Sequence, residues 1–385
     1  EILIGLVGSE MCIRDRLITY HSAYNFGSVL QAYATQEIIT KLGHRVEIIN
    51  YRMPSQKNYY SLFTIHIGKR AFINHVLSIP TIYDRKIRQN KYEQIINSIL
   101  NLTKEVNLPE ELEEFENRYD VYVSGSDQIW SARSCELAFC DWKRFIKPYL
   151  LEFTDRKKIS YASSPNNMKS DELKEIITDI SKFEYVSCRE QESSNKLEKM
   201  LNRKVETVLD PTLLLYKEEW KKLLHNWRNT YTNEKYIFYY VLKGTRSLNK
   251  DLKIICNMAK TRGYKVVTAS PLSVVLPNKN IINAIDASVF DFLGLIRDAQ
   301  YVITDSYHGT LFSINFNKNM YSLQKKPGDN KRVEQIAQEL GFTERVIYSL
   351  EDINFDSIID YSIINFNRNN QRKKSIDYLK NAIEN

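Results

Sequence analysis

Three segments of this chain share one pattern, and that pattern constrains the fold more than any other feature. In each, an amphipathic helix pattern ends at a glycine and an apolar strand pattern follows, with Gly43, Gly263 and Gly341 at the junctions. Glycine readily adopts the left-handed conformation that ends a helix. The strand patterns lie at residues 45–50, 265–269 and 345–348. Helices and strands that alternate in this way predict an α/β fold with mainly parallel sheets.

Further β-branched and aromatic runs predict strands at residues 120–123, 158–162, 185–188, 206–209, 236–242 and 301–304. These strands form two groups, which predicts two Rossmann-like domains whose parallel sheets face a central cleft. We expect an N-terminal domain over residues 17–212 with a helical insertion at about 52–116, a C-terminal domain over 213–350 and a helical tail over 351–385. The domains join at Asp210-Pro211-Thr212, because proline interrupts a strand and disfavours helix at the residue before it.

Residues 1–16 are expected to be foreign to the natural protein. Residues 6–16 read LVGSEMCIRDR, which resembles the translation of an adapter used in DNA library preparation. The chain does not begin with Met, and Glu1 and Glu10 do not fit the basic start and apolar core of a signal peptide. The first strand is therefore expected to begin at Leu17.

The composition excludes several classes of protein. The chain has 385 residues, of which 43% are hydrophobic and 26% charged, as expected for a folded two-domain protein. No apolar run approaches the roughly 18 residues needed to cross a bilayer. The five cysteines show no C-x-x-C spacing, which predicts no disulfide framework and fits the cytoplasm. Metal-ligand spacings and the G-x-x-x-x-G-K and G-x-G-x-x-G motifs are absent, so no metal is expected and an ordinary ATPase or dinucleotide enzyme is disfavoured.

The charge is mildly basic. The formal net charge is +7, and it becomes +8 without residues 1–16, whose three acidic and two basic residues sum to −1. This excess does not indicate a nucleic-acid partner, but it suits a small anionic substrate or weak peripheral attraction to an acidic membrane surface. The clearest basic cluster is either a solvated helix face or such a membrane patch. It consists of Lys69, Arg70, Arg85, Lys86, Arg88 and Lys91.

Open α/β sheets bind ligands beyond the carboxyl ends of their strands, and two predicted strand ends in the N-terminal half carry clustered polar residues. The first contains Asn25 and Gly27, just before a predicted helix whose N-terminus offers free N–H groups. The second contains Ser126, Asp127 and Gln128. These side chains suit sugar hydroxyls, although a helix cap or a plain turn would explain each of them as well.

Two further strand ends carry residues suited to an anion. Arg189 could bind a carboxylate or phosphate through its planar guanidinium, or it could pair with the adjacent Glu190. His308 stands just before Gly309 at a predicted helix start. An imidazole there could exchange a proton with an anion held at the helix N-terminus. Asp210 could line the cleft, but an Asx turn beside Pro211 is the slightly favoured interpretation.

Together these segments resemble the polysaccharide pyruvyl transferase family. The family motifs are N-[FY]-G, G-S-D-Q-x-W, S-x-R-[DE], D-P-T-L-L-L and S-[FY]-H-G-x-x-F-S. In this chain they occur in the same order at residues 25–27, 125–130, 187–190, 210–215 and 306–313. The resemblance extends from about Thr19 to about Gly341.

The resemblance implies a fold like that of the B-type glycosyltransferases and a site between the domains. It also implies transfer of a pyruvyl group from phosphoenolpyruvate to hydroxyls of a cell-surface polysaccharide or its lipid-linked precursor, giving a ketal and phosphate. Phosphoenolpyruvate is then the donor substrate, no cofactor is needed, and the protein works in the cytoplasm or at the inner membrane face. The implied residues are His308 for catalysis, Arg189, Ser306, Gly309 and Thr310 for the donor, and Asn25, Gly27, Ser126, Asp127 and Gln128 for the acceptor.

One position departs from the family pattern. Some members carry an arginine two residues before the active-site histidine, where this chain has Ser306. Another cation must then meet the donor phosphate, and Lys325, Lys326 and Arg332 are candidates. Two other functions stay open, namely a nucleotide-sugar-dependent glycosyltransferase on the same fold and a non-catalytic sugar-binding protein.

Overall fold

The computed structural model describes residues 14–61, 81–116, 118–138, 140–166, 168–270 and 275–385. The strands are β1 (Arg14–Ile18), β2 (Arg45–Tyr51), β3 (Leu102–Val106), β4 (Val121–Ser124), β5 (Lys157–Ser160), β6 (Ser187–Cys188), β7 (Glu206–Thr207), β8 (Tyr236–Tyr240), β9 (Lys265–Thr268), β10 (Ile281–Asn283), β11 (Tyr301–Thr304), β12 (Met320–Leu323) and β13 (Val346–Ile347). The α-helices are α1 (Phe26–Lys41), α2 (Pro54–Tyr59), α3 (Ile82–Ile99), α4 (Trp142–Phe145), α5 (Ser170–Lys174), α6 (Ile177–Ser181), α7 (Gln191–Leu201), α8 (Lys217–Leu223), α9 (Thr245–Lys260), α10 (Val289–Asp298), α11 (Tyr307–Asn315), α12 (Lys331–Leu340) and α13 (Tyr361–Glu384).

The strands form one main sheet in each half of the chain, which confirms the predicted α/β fold with two parallel-sheet domains. The N-terminal sheet has the order β3-β2-β1-β4-β5, and the C-terminal sheet has the order β10-β9-β8-β11-β12-β13. A small additional sheet pairs β6 with β7. Within the described ranges every strand pairing is parallel. The carboxyl ends of neighbouring strands therefore open at the same edge of each sheet.

The register brings the predicted polar segments together. Ile18 at the end of β1 pairs with Ser124 at the end of β4, so the loop that leads into α1 lies beside the loop after β4. In the C-terminal sheet, Thr304 at the end of β11 pairs with Tyr240 of β8 and with Ser322 of β12. The turn that holds His308 is thus flanked by the loops that follow β8 and β12.

Three strands were not predicted. The region expected as a helical insertion contains α2 and α3 but also β3, which is the edge strand of the N-terminal sheet. Its sequence, LTKEV, is largely polar and only its last residue is buried, so it lacks the apolar signature of a central strand. β10 has three residues, and β12 has the short sequence MYSL, so neither provides a long run.

Packing and the C-terminal helix join the two domains. Phe26 at the start of α1 stacks on Phe292 of α10, with ring centroids 4.4 Å apart and planes 7° from parallel. Arg368 in α13 donates from Nη1 to the carbonyl of Ile314 in the C-terminal domain. Further along the same helix, the Tyr378 hydroxyl donates to the carbonyl of Ser160 in the N-terminal domain. The tail predicted as a helix is therefore α13, and it packs on both domains.

The basic cluster in α3 is only partly a surface feature. Arg88 is buried, and its guanidinium lies 4.7 Å from the ring centroid of Phe26. Lys91 forms a salt bridge with Asp286 at 2.6 Å. Arg88 therefore cannot belong to a membrane patch, while Lys69 and Arg70 lie outside the described residues. Among the helices of the described ranges, none combines the length and the apolarity that a membrane crossing requires.

The central strand β1 begins upstream of its predicted start and carries two buried charged residues. Asp15 and Arg16 are 0% and 2% exposed, in a place where a parallel sheet ordinarily has apolar side chains. Burial, together with the charge of Asp120 and against that of Lys157, raises the pKa of Asp15 to about 8. Charged residues at central positions are what a foreign segment would introduce, but the foreign origin of residues 1–16 stays a prediction.

Replacing Asp15 with Val should stabilise the protein, and more so in alkaline solution. A carboxyl group whose pKa is raised by folding stabilises the native state below its unfolded pKa of 3.8 and loses that contribution as pH rises through about 8. The gain should therefore approach several kcal/mol at pH 9, with an upper bound of about 6 kcal/mol. Urea midpoints of both proteins at pH 6 and pH 9 measure it. The exposed Asp171→Val is the control, and equal pH slopes in wild type and Asp15→Val would contradict the prediction.

Candidate active site

A fully buried guanidinium lies at the carboxyl ends of the N-terminal strands. Arg189 follows β6, and each of its three nitrogens contacts a different carboxylate. Nε is 3.0 Å from Glu190, Nη1 is 3.0 Å from Asp210 and Nη2 is 3.4 Å from Asp127. Burial lowers the pKa of Arg189, but the three carboxylates together raise it above its usual value. Arg189 is thus a fixed positive charge surrounded by protein groups, which suits a positioning role better than the predicted direct contact with a donor.

Asp210 connects this guanidinium to His308. One carboxylate oxygen accepts hydrogen bonds from the backbone N–H and the hydroxyl of Thr212, so the predicted Asx turn is present. The other oxygen faces Arg189 and lies 3.5 Å from Nε2 of His308. Burial alone would raise the pKa of Asp210, but His308 and Arg189 hold it well below its usual range. Asp210 is therefore a charged carboxylate that orients the imidazole, a role that the turn interpretation missed.

The start of α1 packs against the other side of the imidazole. A Cβ atom built on Gly27 would lie 2.0 Å from Nδ1 of His308, so only glycine permits this approach. Asn25 caps α1 by accepting a hydrogen bond from the Gly27 N–H at 2.9 Å. Both residues were predicted to contact the acceptor, and the structure brings both to the site. Asn25 supports the helix start, and Gly27 leaves room for the ring.

The loop after β4 is held mainly by internal hydrogen bonds. Ser126 is fully buried, and its hydroxyl donates to the carbonyl of Ala162. Asp127 accepts a hydrogen bond from the hydroxyl of Ser28 at 2.8 Å, which fixes the loop against α1. Gln128 is partly exposed. Of the three predicted acceptor residues in this loop, Gln128 therefore has the freest access to a ligand.

The predicted donor residues beside His308 form the start of α11. Ser306 caps the helix by accepting from the Gly309 N–H, and Thr310 is fully buried with its hydroxyl donating to the Ser306 carbonyl. A Cβ on Gly309 would lie 2.5 Å from the hydroxyl oxygen of Thr304. These contacts fix the orientation of His308 relative to β11. The donor contacts of these three residues stay a prediction.

A cavity of about 720 Å³ opens between the domains beside this cluster. Its walls include Asn166 and Glu190 from the N-terminal domain and Gln324, Lys325 and Arg332 from the C-terminal domain. We call it the cleft cavity. It lies where the two sheets present their carboxyl ends to each other, as an α/β ligand site should.

Arg332, at the start of α12, is a half-buried cation on the wall of the cleft cavity, where Lys325 is an exposed one. Its guanidinium lies 5.2 Å from the ring centroid of Tyr307, and the guanidinium of Arg189 lies 5.1 Å from the same centroid. Burial and the charge of Arg189 lower the pKa of Arg332. Among the described residues, no carboxylate lies within salt-bridge distance of it. A half-buried cation without an ion-pair partner is well placed to bind an anion.

Fold and site together define a two-domain α/β protein with a histidine beside a buried carboxylate, next to a cleft whose wall includes basic residues. The chain belongs to the polysaccharide pyruvyl transferase family, whose sequence model matches residues 25–324, most of its length. The family resemblance deduced from the motifs is confirmed. No curated protein matches the chain in sequence.

Solved structures similar to this chain include nucleotide-sugar enzymes. A UDP-GlcNAc 2-epimerase from Methanocaldococcus jannaschii, in complex with UDP-GlcNAc and UDP, is 13% identical with a TM-score of 0.45, covering 83% of this chain and 86% of that one. The glycosyltransferase SnogD from Streptomyces nogalater is 9% identical with a TM-score of 0.42, covering 96% and 98%. A UDP-N-acetylglucosamine 2-epimerase from Rickettsia bellii is 10% identical with a TM-score of 0.45, covering 96% of each chain. At this distance a likeness does not transfer an activity.

Within the part of the chain that the structure describes, no group of three His, Cys, Asp or Glu side chains could hold a metal ion. Whether the protein works without a metal stays a prediction.

Replacing Arg189 with Met should strongly destabilise the protein, because three carboxylates would remain buried without their cation. Breaking one partner of a buried ion pair costs about 3–5 kcal/mol. The loss should be largest at pH 7 and smaller at pH 5, because protonation then relieves the uncompensated carboxylates. Urea unfolding at both pH values measures it. Arg297→Met, which removes a surface pair with Asp298, is the control and should cost at most about 1 kcal/mol. A small, pH-independent loss in Arg189→Met would contradict this account.

Proposed function

We propose that this protein transfers the pyruvyl group of phosphoenolpyruvate to two hydroxyls of a glycan, forming a ketal and releasing phosphate. The observation that carries the proposal is the position of His308. It is oriented by Asp210 at the domain interface, next to a cavity in which Arg332 has no carboxylate partner among the described residues. Family membership supports the transferase class, and the proposal adds the donor and the kind of acceptor.

The chemistry requires two proton transfers. One sugar hydroxyl adds to C2 of phosphoenolpyruvate, and a proton goes to C3, which becomes a methyl group. The second hydroxyl then forms a bond to C2 while the bond from C2 to the phosphate oxygen breaks, and the hydroxyl proton leaves with the phosphate. His308 is the group proposed to exchange these protons; its Nε2 faces Asp210, and its Nδ1 lies at the start of α1 beside Gly27.

The donor anion fits the cleft cavity on charge grounds. Phosphoenolpyruvate carries a carboxylate and a phosphate, and Lys325 and Arg332 both line the cavity. Ser306 caps α11 in the place where some family members have arginine, so the phosphate needs a cation from another segment. Arg189 is already surrounded by three carboxylates, which leaves Lys325 and Arg332, and we favour Arg332 because a guanidinium can bind a phosphate through two parallel hydrogen bonds.

The acceptor in this proposal is a cell-surface polysaccharide or its lipid-linked precursor. A lipid-linked acceptor would bring the protein to the inner face of the membrane, where its mild positive charge would favour weak peripheral association.

Phosphate release from phosphoenolpyruvate, measured with a panel of glycosides, tests the proposal. His308→Asn should lower kcat by about 10²- to 10⁴-fold, the usual contribution of a general acid or base. The exposed His225→Asn is the matched control and should leave the rate unchanged. Equal rates in wild type and His308→Asn would contradict the catalytic assignment. Thermal stabilisation by UDP and none by phosphoenolpyruvate would favour a nucleotide-sugar donor instead.

Arg332→Met should raise KM for phosphoenolpyruvate and change kcat much less. A hydrogen bond to a charged group contributes about 1.5–3 kcal/mol, which corresponds to a KM increase of roughly 10- to 150-fold. Arg144→Met is the control, because Arg144 is exposed, pairs with Glu110 and does not line the cleft cavity. An unchanged KM in Arg332→Met would show that another group binds the phosphate.

A further inference from the structure

A second cavity, of about 280 Å³, lies in the N-terminal domain. Ser22, which follows β1, and Arg52, which follows β2, both line it, so it opens at the carboxyl edge of the N-terminal sheet. Tyr24, Gln56 and Tyr60 form further parts of its wall. We call it the tyrosine cavity. Neither the motif residues nor the proposed donor contacts account for it.

The charges on its wall are paired. Arg52 contacts Glu93 at 2.8 Å, and Lys57 contacts Glu105 at 2.6 Å. The cleft cavity differs, because its Arg332 has no such partner among the described residues. A site whose cations are already neutralised does not select an anion, so the tyrosine cavity suits an uncharged polar ligand.

Two aromatic rings and an unsatisfied amide supply the binding groups. Tyr24 and Tyr60 are both half-buried, with ring centroids 5.8 Å apart at an interplanar angle of 66°. Their rings offer apolar surface to a sugar, while their hydroxyls donate within the protein, that of Tyr24 to Glu93 and that of Tyr60 to Glu136.

Gln56 is 2% exposed, and its Oε1 accepts a hydrogen bond from the hydroxyl of Ser22 at 2.8 Å. Among the residues that the structure describes, none accepts a hydrogen bond from its Nε2. A buried donor without an acceptor is unfavourable, and a ligand hydroxyl in the cavity would satisfy it.

The cavity lies near the proposed catalytic residue. Tyr24 is three residues before Gly27, which packs against the ring of His308. Three residues of chain span at most about 11 Å. One glycan chain can therefore occupy the tyrosine cavity and still present a hydroxyl group near His308.

We propose that the tyrosine cavity binds a neutral hexose unit of the acceptor glycan. This inference rests on the proposed function. It also explains how an acceptor is held when Asn25, Ser126 and Asp127, the residues predicted for that task, make internal hydrogen bonds. The Gln56 amide and the two tyrosines would contact the hexose, and the paired cations would keep the site free of anions.

Binding of lactose, maltose and cellobiose, measured by saturation-transfer NMR without any donor, tests this inference on the full chain. Wild type should bind at least one of them, and Gln56→Met, which keeps the size of the side chain and removes its amide, should raise Kd about tenfold or more. Gln338→Met is the matched control, because Gln338 is exposed and lines the cleft cavity. Its Kd should equal that of wild type. Thermal melting confirms that both variants are folded, and Tyr60→Leu provides a second probe of the same wall.

The outcomes separate this inference from the proposed function. Sugar binding that depends on Gln56, without phosphate release from phosphoenolpyruvate, would support hexose binding in the tyrosine cavity. It would contradict the proposal that phosphoenolpyruvate is the donor. The opposite result is phosphate release with a glycoside acceptor and equal sugar affinity in wild type, Gln56→Met and Tyr60→Leu. It would support the proposed transferase function and overturn hexose binding in the tyrosine cavity. Failure of all three disaccharides to bind would also overturn it. Crystals soaked in the tightest-binding disaccharide should show it between Tyr24 and Tyr60, and occupancy of the cleft cavity alone would contradict the inference.

Discussion

The cluster in which Arg189 meets Asp127, Glu190 and Asp210 is the interaction on which the site depends. These residues come from the ends of different strands, so the ion pairs fix the loops after β4, β6 and β7 relative to one another. The cluster holds three carboxylates and one guanidinium, and His308 and Arg332 are the basic groups nearest to the excess negative charge. A buried network of this kind adds little stability by itself, but removing one member is costly. It therefore works as a frame that keeps Asp210 ionised and the imidazole in one orientation.

The two cavities differ in whether their cations have ion-pair partners. The cleft cavity has a half-buried Arg332 without an ion-pair partner among the described residues, whereas the cations of the tyrosine cavity are matched by Glu93 and Glu105. Electrostatics alone would therefore direct an anionic donor to one cavity and leave the other to an uncharged ligand. The α1 start, with Gly27 against His308, follows Tyr24 of the tyrosine cavity in the chain.

The fold and the location of the site could be predicted from the sequence, but the role of each residue could not. The helix–glycine–strand pattern predicted both parallel sheets, and the strand-end rule placed Asp127, Arg189 and His308 at the carboxyl ends of strands. Which polar group faces a ligand depends on packing partners that are distant in sequence. The hydroxyl of Ser126, for example, donates its hydrogen bond to the carbonyl of Ala162, and no local sequence pattern indicates this. The short, weakly patterned β12 was not predicted, so the basic loop that follows it was not recognised as a strand end.

Ser306, two residues before His308, indicates how the donor contact can differ while the Arg189 cluster stays the same. Ser306 uses its hydroxyl to cap α11, so it fixes the helix start and offers no charge to a ligand. In our proposal the charge comes instead from Arg332, in the first turn of α12, whose guanidinium lies over the ring of Tyr307, the residue next to His308. Because α11 and α12 both begin at the cleft, a cation on either helix start reaches the same cavity, and the N-terminal dipole of that helix supports anion binding. The donor contact can therefore shift from one helix to the other while Asp210 and Gly27 keep the imidazole in place.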